Sequence, residues 1–189
     1  MSQIERPTQR AHRELAAVLR EGDLAIDATA GNGHDTLFLT RQVGASGKVI
    51  AFDIQEEAIR STRARLEAEG VGDRVTLFQE SHAKLREHVV PGAAAAVMFN
   101  LGYLPGGDVS RITEREETLE ALGQALEVLR SGGLLSIVCY PGHPGGDEES
   151  AAVVSWAGAL DAGCWSVEVE RREGTLRPAP FLVLVWRLG

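Results

Sequence analysis

Asp27-Ala28-Thr29-Ala30-Gly31-Asn32-Gly33-His34-Asp35-Thr36 is the stretch on which the fold turns. Ahead of it, residues 24–28 form a short apolar run that reads as a strand. Behind it, residues 35–43 read as a helix with Leu37, Phe38 and Leu39 inward. Between the two, Gly31 and Gly33 allow a tight turn and a close approach of backbone to a ligand. A strand, a glycine-bearing turn and a helix open an α/β unit of the nucleotide-binding kind.

The alternation continues outward. Residues 48–52 read as a strand ending in Asp53, and 56–69 as a helix stopped by Gly70. Residues 74–79 alternate as a strand does, and 93–99 form a continuous apolar run, as in a strand buried on both faces. A long helix over 113–129 opens on Thr113 with Glu116 three residues on, a capping-box pattern, and Ser131-Gly132-Gly133 is expected to end it. A second buried strand covers 134–140, and a helix over 148–160 stops at Gly163. Strands 165–171 and 181–188 follow without a helix between them, so they pair antiparallel. Upstream, residues 7–20 read as a helix stopped by Gly22. The expected fold is α/β and Rossmann-like: a doubly wound, mainly parallel seven-stranded sheet with an antiparallel last strand, in one domain over residues 1–189. Ligands of such sheets lie beyond the carboxyl ends of the strands, near the reversal of strand order.

Composition narrows the classes. A hydrophobic fraction of 44% supports a substantial core, and no apolar run reaches the ~20 residues of a membrane span. The polar, arginine-bearing start lacks the apolar segment of a secretory signal, which leaves the cytoplasm as the expected compartment. Cys139 and Cys164 both fall in apolar surroundings that read as strands, and two buried thiols are expected. The net charge of −8 argues against a broad, sequence-blind nucleic-acid binder. Basic residues nevertheless cluster at Arg6, Arg10 and Arg13, at Arg60, Arg63 and Arg65, and at Arg171, Arg172 and Arg177. Residues 143–170 hold six acids and no Lys or Arg.

The strand ends hold the chemistry. Asp53 stands 20 positions after Gly33, where an acid accepts both ribose hydroxyls of an adenosine. Thr36 occupies the third small-residue position of a dinucleotide pattern, and Asp27 would set a carboxylate against a pyrophosphate. Both features favour S-adenosylmethionine, which has no phosphate and is positively charged at its amino and sulfonium groups. The alternative is a tight strand–helix turn in which Asp27 caps a helix. Ser81-His82 follows the third strand, beside the expected adenine position.

The fourth strand runs into Asn100-Leu101-Gly102-Tyr103-Leu104-Pro105-Gly106-Gly107. Asn100 offers an amide acceptor, and Tyr103 a ring with a polar tip. The loop partly resembles the Asn-Pro-Pro-Tyr loop of amino-methylating enzymes, with Leu101 and Gly102 in place of the prolines. The fifth strand ends in Tyr140-Pro141-Gly142-His143-Pro144-Gly145-Gly146, where His143 is either a substrate contact or proton acceptor, or a surface histidine beside a turn. His34, Asp35, His82 and His143 contain no tight ligand pair of the His-x-x-x-His kind, so no metal site is expected.

Together, residues 27–39, Phe52-Asp53-Ile54-Gln55, Ser81-His82-Ala83, residues 100–108 and residues 140–146 resemble one family. It is the small bacterial class I methyltransferase family labelled putative rRNA methylase, whose characterised members, of the MnmM type, act on the wobble uridine of tRNA. The resemblance implies methyl transfer from S-adenosylmethionine to the primary amine of 5-aminomethyl-2-thiouridine, giving the 5-methylaminomethyl product. It implies cofactor contacts at Asn32, Gly33, Asp35, Asp53, Gln55, Ser81 and His82, with Asn100 and Tyr103 facing the acceptor. Asp27 joins the cofactor group, and His143 the catalytic one, on the residue readings above. A tRNA anticodon stem-loop is the implied partner, and a homodimer is expected by family. The competing readings are the same chemistry on rRNA or a small-molecule amine, and a non-catalytic nucleoside-binding module.

Overall fold

The computed structural model describes residues 5–102, 115–171 and 178–189. Seven strands form one sheet: β1 (Leu24–Asp27), β2 (Lys48–Phe52), β3 (Val75–Phe78), β4 (Ala94–Leu101), β5 (Leu129–Cys139), β6 (Trp165–Glu170) and β7 (Phe181–Arg187). Their order is β3-β2-β1-β4-β5-β7-β6. The first five strands pair parallel, and β7 runs antiparallel between β5 and β6. The expected doubly wound sheet with its antiparallel closing strand is therefore present.

Side-chain alternation along the central strands shows why both faces are covered. Leu135, Ile137 and Cys139 of β5 join one apolar cluster, and Leu134 and Val138 join the other. The first cluster packs under α5 (Arg115–Val128) and α6 (Gly146–Gly158); the second packs under α1 (Pro7–Val18) and α2 (His34–Gln42). Continuous apolar strands are the sequence form of this two-sided burial. α1 starts with Pro7 at its first position, where a missing N–H costs no helical bond. α3 (Glu56–Ala68) opens with Glu56 and Glu57, and α6 has Asp147, Glu148 and Glu149 in its first turn. Both arrangements suit the positive end of the helix dipole.

Three expectations need correction. Ser131-Gly132-Gly133 does not end the helix: α5 stops at Val128, and β5 begins at once with Leu129 paired to Ala94. The register then shifts, so that Ala96 faces Leu134, and the glycines lie within this irregular stretch. A Cβ at Gly133 would stand 3.0 Å from the Ala95 carbonyl oxygen, so the close strand approach requires a glycine. Cys164 is exposed and precedes β6, with its Sγ 3.5 Å from Asp161 Oδ2, whereas Cys139 is buried as expected. Arg10 is no free cation: its guanidinium pairs with Glu168 at 2.7 Å and Glu170 at 2.6 Å. The basic start and the acidic stretch thus partly neutralise each other.

The connection between β3 and β4 holds a 3-10 turn (His82–Lys84) and the short helix α4 (Leu85–His88). Thr113 with its capping-box pattern, Tyr103, Arg172 and Arg177 lie outside the described residues. Among the described residues no helix is long and apolar enough to cross a membrane.

Candidate active site

Strand order reverses between β1 and β4, and a cleft of about 450 Å³ opens beyond their carboxyl ends. Each of the first five strands delivers residues to it. Ala28 to Asn32, His34 and Asp35 follow β1; Asp53, Ile54 and Gln55 follow β2; Glu80, Ser81 and His82 follow β3. Asn100 and Leu101 end β4, with Gly102 next, and Tyr140 follows β5. Thr8 of α1 and Glu117 of α5 complete the wall.

The turn after β1 is held from below and behind. Asp27 is wholly buried and accepts from the Thr36 hydroxyl at 2.6 Å and the Thr29 N–H at 3.1 Å. It therefore ties the end of β1 to the first turns of α2. Burial, and then the charge of Asp35, push its carboxyl up to about 7. From behind, α3 grips the turn. The Thr62 hydroxyl donates to the Gly31 carbonyl at 3.0 Å, and Arg65 Nε to the Asn32 carbonyl at 2.7 Å. Gly33 caps α2 at φ +76°, a left-handed conformation that favours glycine.

Asp53 is positioned by its own backbone surroundings. Its Oδ2 accepts from the Gly31 N–H and its Oδ1 from the Gln55 N–H, both at 2.9 Å. Burial raises its pKa, and these two N–H groups oppose the rise. Exposed Ile54, at 45%, offers an apolar surface beside it. On the far wall, His82 Nδ1 lies 3.2 Å from the Ala28 carbonyl oxygen. A carbonyl only accepts, so Nδ1 holds the proton and Nε2 keeps a lone pair. That Nε2 is buried without a partner, and burial lowers the imidazole pKa. The Ser81 hydroxyl donates to Glu117 at 3.1 Å.

At the end of β4 the backbone N–H of Asn100 donates to the Thr29 hydroxyl oxygen at 2.7 Å, and Asn100 Nδ2 donates to Asp35 Oδ2. The other Asp35 oxygen accepts from His12 Nε2 at 2.6 Å. Asn100 Oδ1 is buried with no hydrogen-bond partner. Burial, and then the charge of Asp35, raise the pKa of Tyr140.

The cleft thus gathers Asn32, Asp35, Asp53, Gln55, Ser81, His82 and Asn100 of the residues singled out in the sequence. Asp27 and Gly33 do not line it; they shape the turn that does. His143 does not line it either: its Nδ1 lies 3.0 Å from the Pro144 carbonyl oxygen, and its ring packs against the start of α6 beside Gly146. Sequence reasoning missed Thr8, Glu80, Glu117 and Tyr140 as cleft residues and His12 behind them. The signal for the α1 pair was present in the i, i+4 spacing of Thr8 and His12, which sets both on one helix face.

Four carboxylates line the cleft, Asp35, Asp53, Glu80 and Glu117, and among the described lining residues there is no Lys or Arg. Such a wall selects for positive charge and disfavours a pyrophosphate.

Solved structures share this architecture. A putative rRNA methylase from Clostridium thermocellum superposes with a TM-score of 0.95 at 36% identity, covering 98% of this chain and 100% of the other. A putative methyltransferase from Streptococcus mutans, in complex with SAH, gives 0.89 at 38% identity, with 98% and 100% covered. The fold is that of the class I methyltransferases. A protein of Arabidopsis thaliana named "tRNA (mnm(5)s(2)U34)-methyltransferase, chloroplastic" is 44% identical over 168 residues, which is 84% of this chain and 61% of that relative. The chain therefore spans about six-tenths of the relative's length. The sequence profile of the family described as "Putative rRNA methylase" matches residues 49–185, and with the shared fold this places the chain in that family.

Proposed function

We propose that the protein is an S-adenosylmethionine-dependent N-methyltransferase acting on 5-aminomethyl-2-thiouridine at the wobble position of tRNA. The product is the 5-methylaminomethyl nucleoside. The observation on which this rests is that the described residues of the cleft wall include four carboxylates and no Lys or Arg, at the carboxyl ends of β1 and β4. The residues present fit the cofactor. Asp53 is fixed by two N–H donors and keeps lone pairs for ribose hydroxyls. The unpartnered Nε2 of His82 is an acceptor awaiting a donor, as the adenine amino group is. Ile54 gives the base an apolar surface.

When bound, S-adenosylmethionine supplies an electrophilic methyl group on a positively charged sulfur. The chain's own task is to align the attacking nitrogen and to keep water out. Asn100 orients the amine through its amide and is no base. The acids around it attract an alkylammonium, which gives up its proton to solvent before attack, since the neutral amine is the nucleophile. A thiol adduct at a ring carbon is disfavoured. Cys139 is buried in β5 with its pKa pushed up to about 12, chiefly by burial, and Cys164 lies beyond the cleft lining.

The same reading takes residues 1–189 as one methyltransferase domain, the anticodon stem-loop as the RNA contact, a homodimer as the assembly and the cytoplasm as the compartment. Tyr103 faces the acceptor in this reading. The 44% identity to the Arabidopsis tRNA enzyme supports the substrate. The test combines the purified protein, labelled S-adenosylmethionine and tRNA containing 5-aminomethyl-2-thiouridine, followed by nucleoside mass spectrometry. Label in the 5-methylaminomethyl nucleoside is the expected result. Label in rRNA or a free amine instead overturns the substrate.

A further inference from the structure

Among the described residues of the cleft, Asp35 alone has each of its oxygens held by a side chain from a different element. Oδ1 accepts from His12 Nε2 on α1 at 2.6 Å, and Oδ2 accepts from Asn100 Nδ2 at the end of β4. His12 is itself fixed. Its ring lies parallel to Phe38 of α2, with centroids 3.8 Å apart and planes 4° apart. Neighbouring Ala11 and Leu15 anchor α1 in the core. A side chain with this stacking and a charged acceptor has little rotational freedom left.

The consequence falls on the Asn100 amide. An amide can turn over and exchange its oxygen and nitrogen positions; a carboxylate at one end forbids this, because it accepts only from the nitrogen. Asp35 therefore fixes Nδ2 on its own side and leaves Oδ1 on the other, where it is buried and without a partner. The Thr29 hydroxyl holds the Asn100 backbone N–H at 2.7 Å, which leaves the side chain little room to adjust.

We propose that His12 is a positioning residue for the methyl acceptor. By locking Asp35 it locks the amide of Asn100, so that Oδ1 is the acceptor presented to the N–H of the incoming amine. α1 thereby belongs to the active site even though His12 itself does not line the cleft. This inference rests on the amine-methylating function proposed above.

The experiment uses the full chain and compares wild type with His12→Ala, His12→Gln, Asn100→Ala and the His12→Ala/Asn100→Ala double variant. Turnover is measured on tRNA bearing the aminomethyl nucleoside, and S-adenosylmethionine affinity by calorimetry. His12→Ala should lower kcat by roughly 10²-fold, the scale of a misplaced reacting group, with cofactor affinity within about threefold. His12→Gln, which keeps an N–H donor, should restore most of the loss. The double variant should be no slower than Asn100→Ala alone, since His12 acts through that amide. A parallel fall in cofactor affinity, or losses that multiply in the double variant, overturns the proposal. Side-chain amide NMR gives a readout free of any substrate. The Asn100 Nδ2 signal, identified by its absence in Asn100→Ala, should move in His12→Ala and return toward wild type in His12→Gln. An unmoved signal in His12→Ala overturns the positioning role. Wild-type protein that binds the cofactor yet leaves the aminomethyl nucleoside unmodified overturns the substrate reading, and the amide signal then still decides the role of His12.

Discussion

Gly33 and Thr62 approach so closely that a Cβ added to the glycine would stand 2.8 Å from the Thr62 Cα. The contact is backbone against backbone, so neither partner can turn aside. It joins the turn after β1 to α3, the same helix that grips the turn through Thr62 Oγ1 and Arg65. Gly33→Ala should therefore separate turn from helix. The left-handed φ alone costs ~1–2 kcal/mol, and the overlap adds to it. Thermal unfolding should show a lower Tm and calorimetry a weaker S-adenosylmethionine affinity; unchanged values for both would refute the bracing role.

Asp53→Ala should remove cofactor binding while leaving the fold in place. A charge-assisted hydrogen bond contributes about 1.5–3 kcal/mol, and the variant loses those proposed to the ribose together with the acceptor for the Gly31 and Gln55 N–H groups. Calorimetry beside circular dichroism checks this. Wild-type affinity in a folded variant would remove Asp53 from the site.

Asn100→Ala should separate binding from turnover. Its backbone contact to Thr29 survives the substitution, and only the amide is lost. Cofactor affinity should stay near wild type, and kcat should fall by roughly 10²-fold. An equal loss in both would mean that Asn100 holds the cofactor instead.

Asp27 predicts a pH dependence of stability. Its folded pKa, about 7, lies above the usual 3.8, so the native state holds a proton that the unfolded chain releases. Stability from this group is complete below pH ~4 and is lost as pH rises toward 7, with a limiting slope of about 1.4 kcal/mol per pH unit. In Asp27→Asn the amide oxygen can still accept from the Thr29 N–H, and the amide nitrogen can donate to the Thr36 hydroxyl oxygen. Denaturant unfolding across pH 4–7 should show the wild type losing stability relative to this variant. Parallel curves would show that Asp27 titrates normally.

Not all of the arginine clusters in the sequence are open to an RNA backbone, because Arg10 is engaged by Glu168 and Glu170 and Arg171 lies over the Phe181 ring, 4.5 Å from its centroid. Exposed Arg60 and Arg63 on α3 have no ion pair among the described residues. Charge reversal at both should weaken tRNA binding and reduce its salt dependence, each lost phosphate contact lowering the slope by about 1. Unaltered affinity and slope would place the RNA elsewhere.

The parallel core was legible because its signals are local. β4 is apolar from Ala94 to Phe99 and β5 from Leu134 to Cys139 apart from Ser136, and the turn after β1 holds its glycines and acid within ten residues. The start of β5 was not legible, since Leu129 suits the end of a helix as well as a strand. What decides it is pairing with Ala94, a contact made across the sheet. Cys164 was misplaced for a related reason: its apolar neighbours belong to the strand that follows, while Cys164 itself stays in the turn. Three of the residues missed in the cleft share one property. Thr8, Glu117 and Tyr140 enter it from three separate elements, and nothing in the spacing says which helix face meets which strand end.

The acidic wall acts differently on the two forms of the cofactor. Transfer of the methyl group leaves a neutral thioether where a positive sulfur had been. In the proposed binding mode, the attraction of Asp35, Asp53, Glu80 and Glu117 for that atom then disappears, while any contacts to the rest of the molecule are unaffected by the transfer. In that mode the spent cofactor keeps its ammonium and its nucleoside but no longer has a charged sulfur for the acids to hold, so chemistry itself weakens the grip on the product.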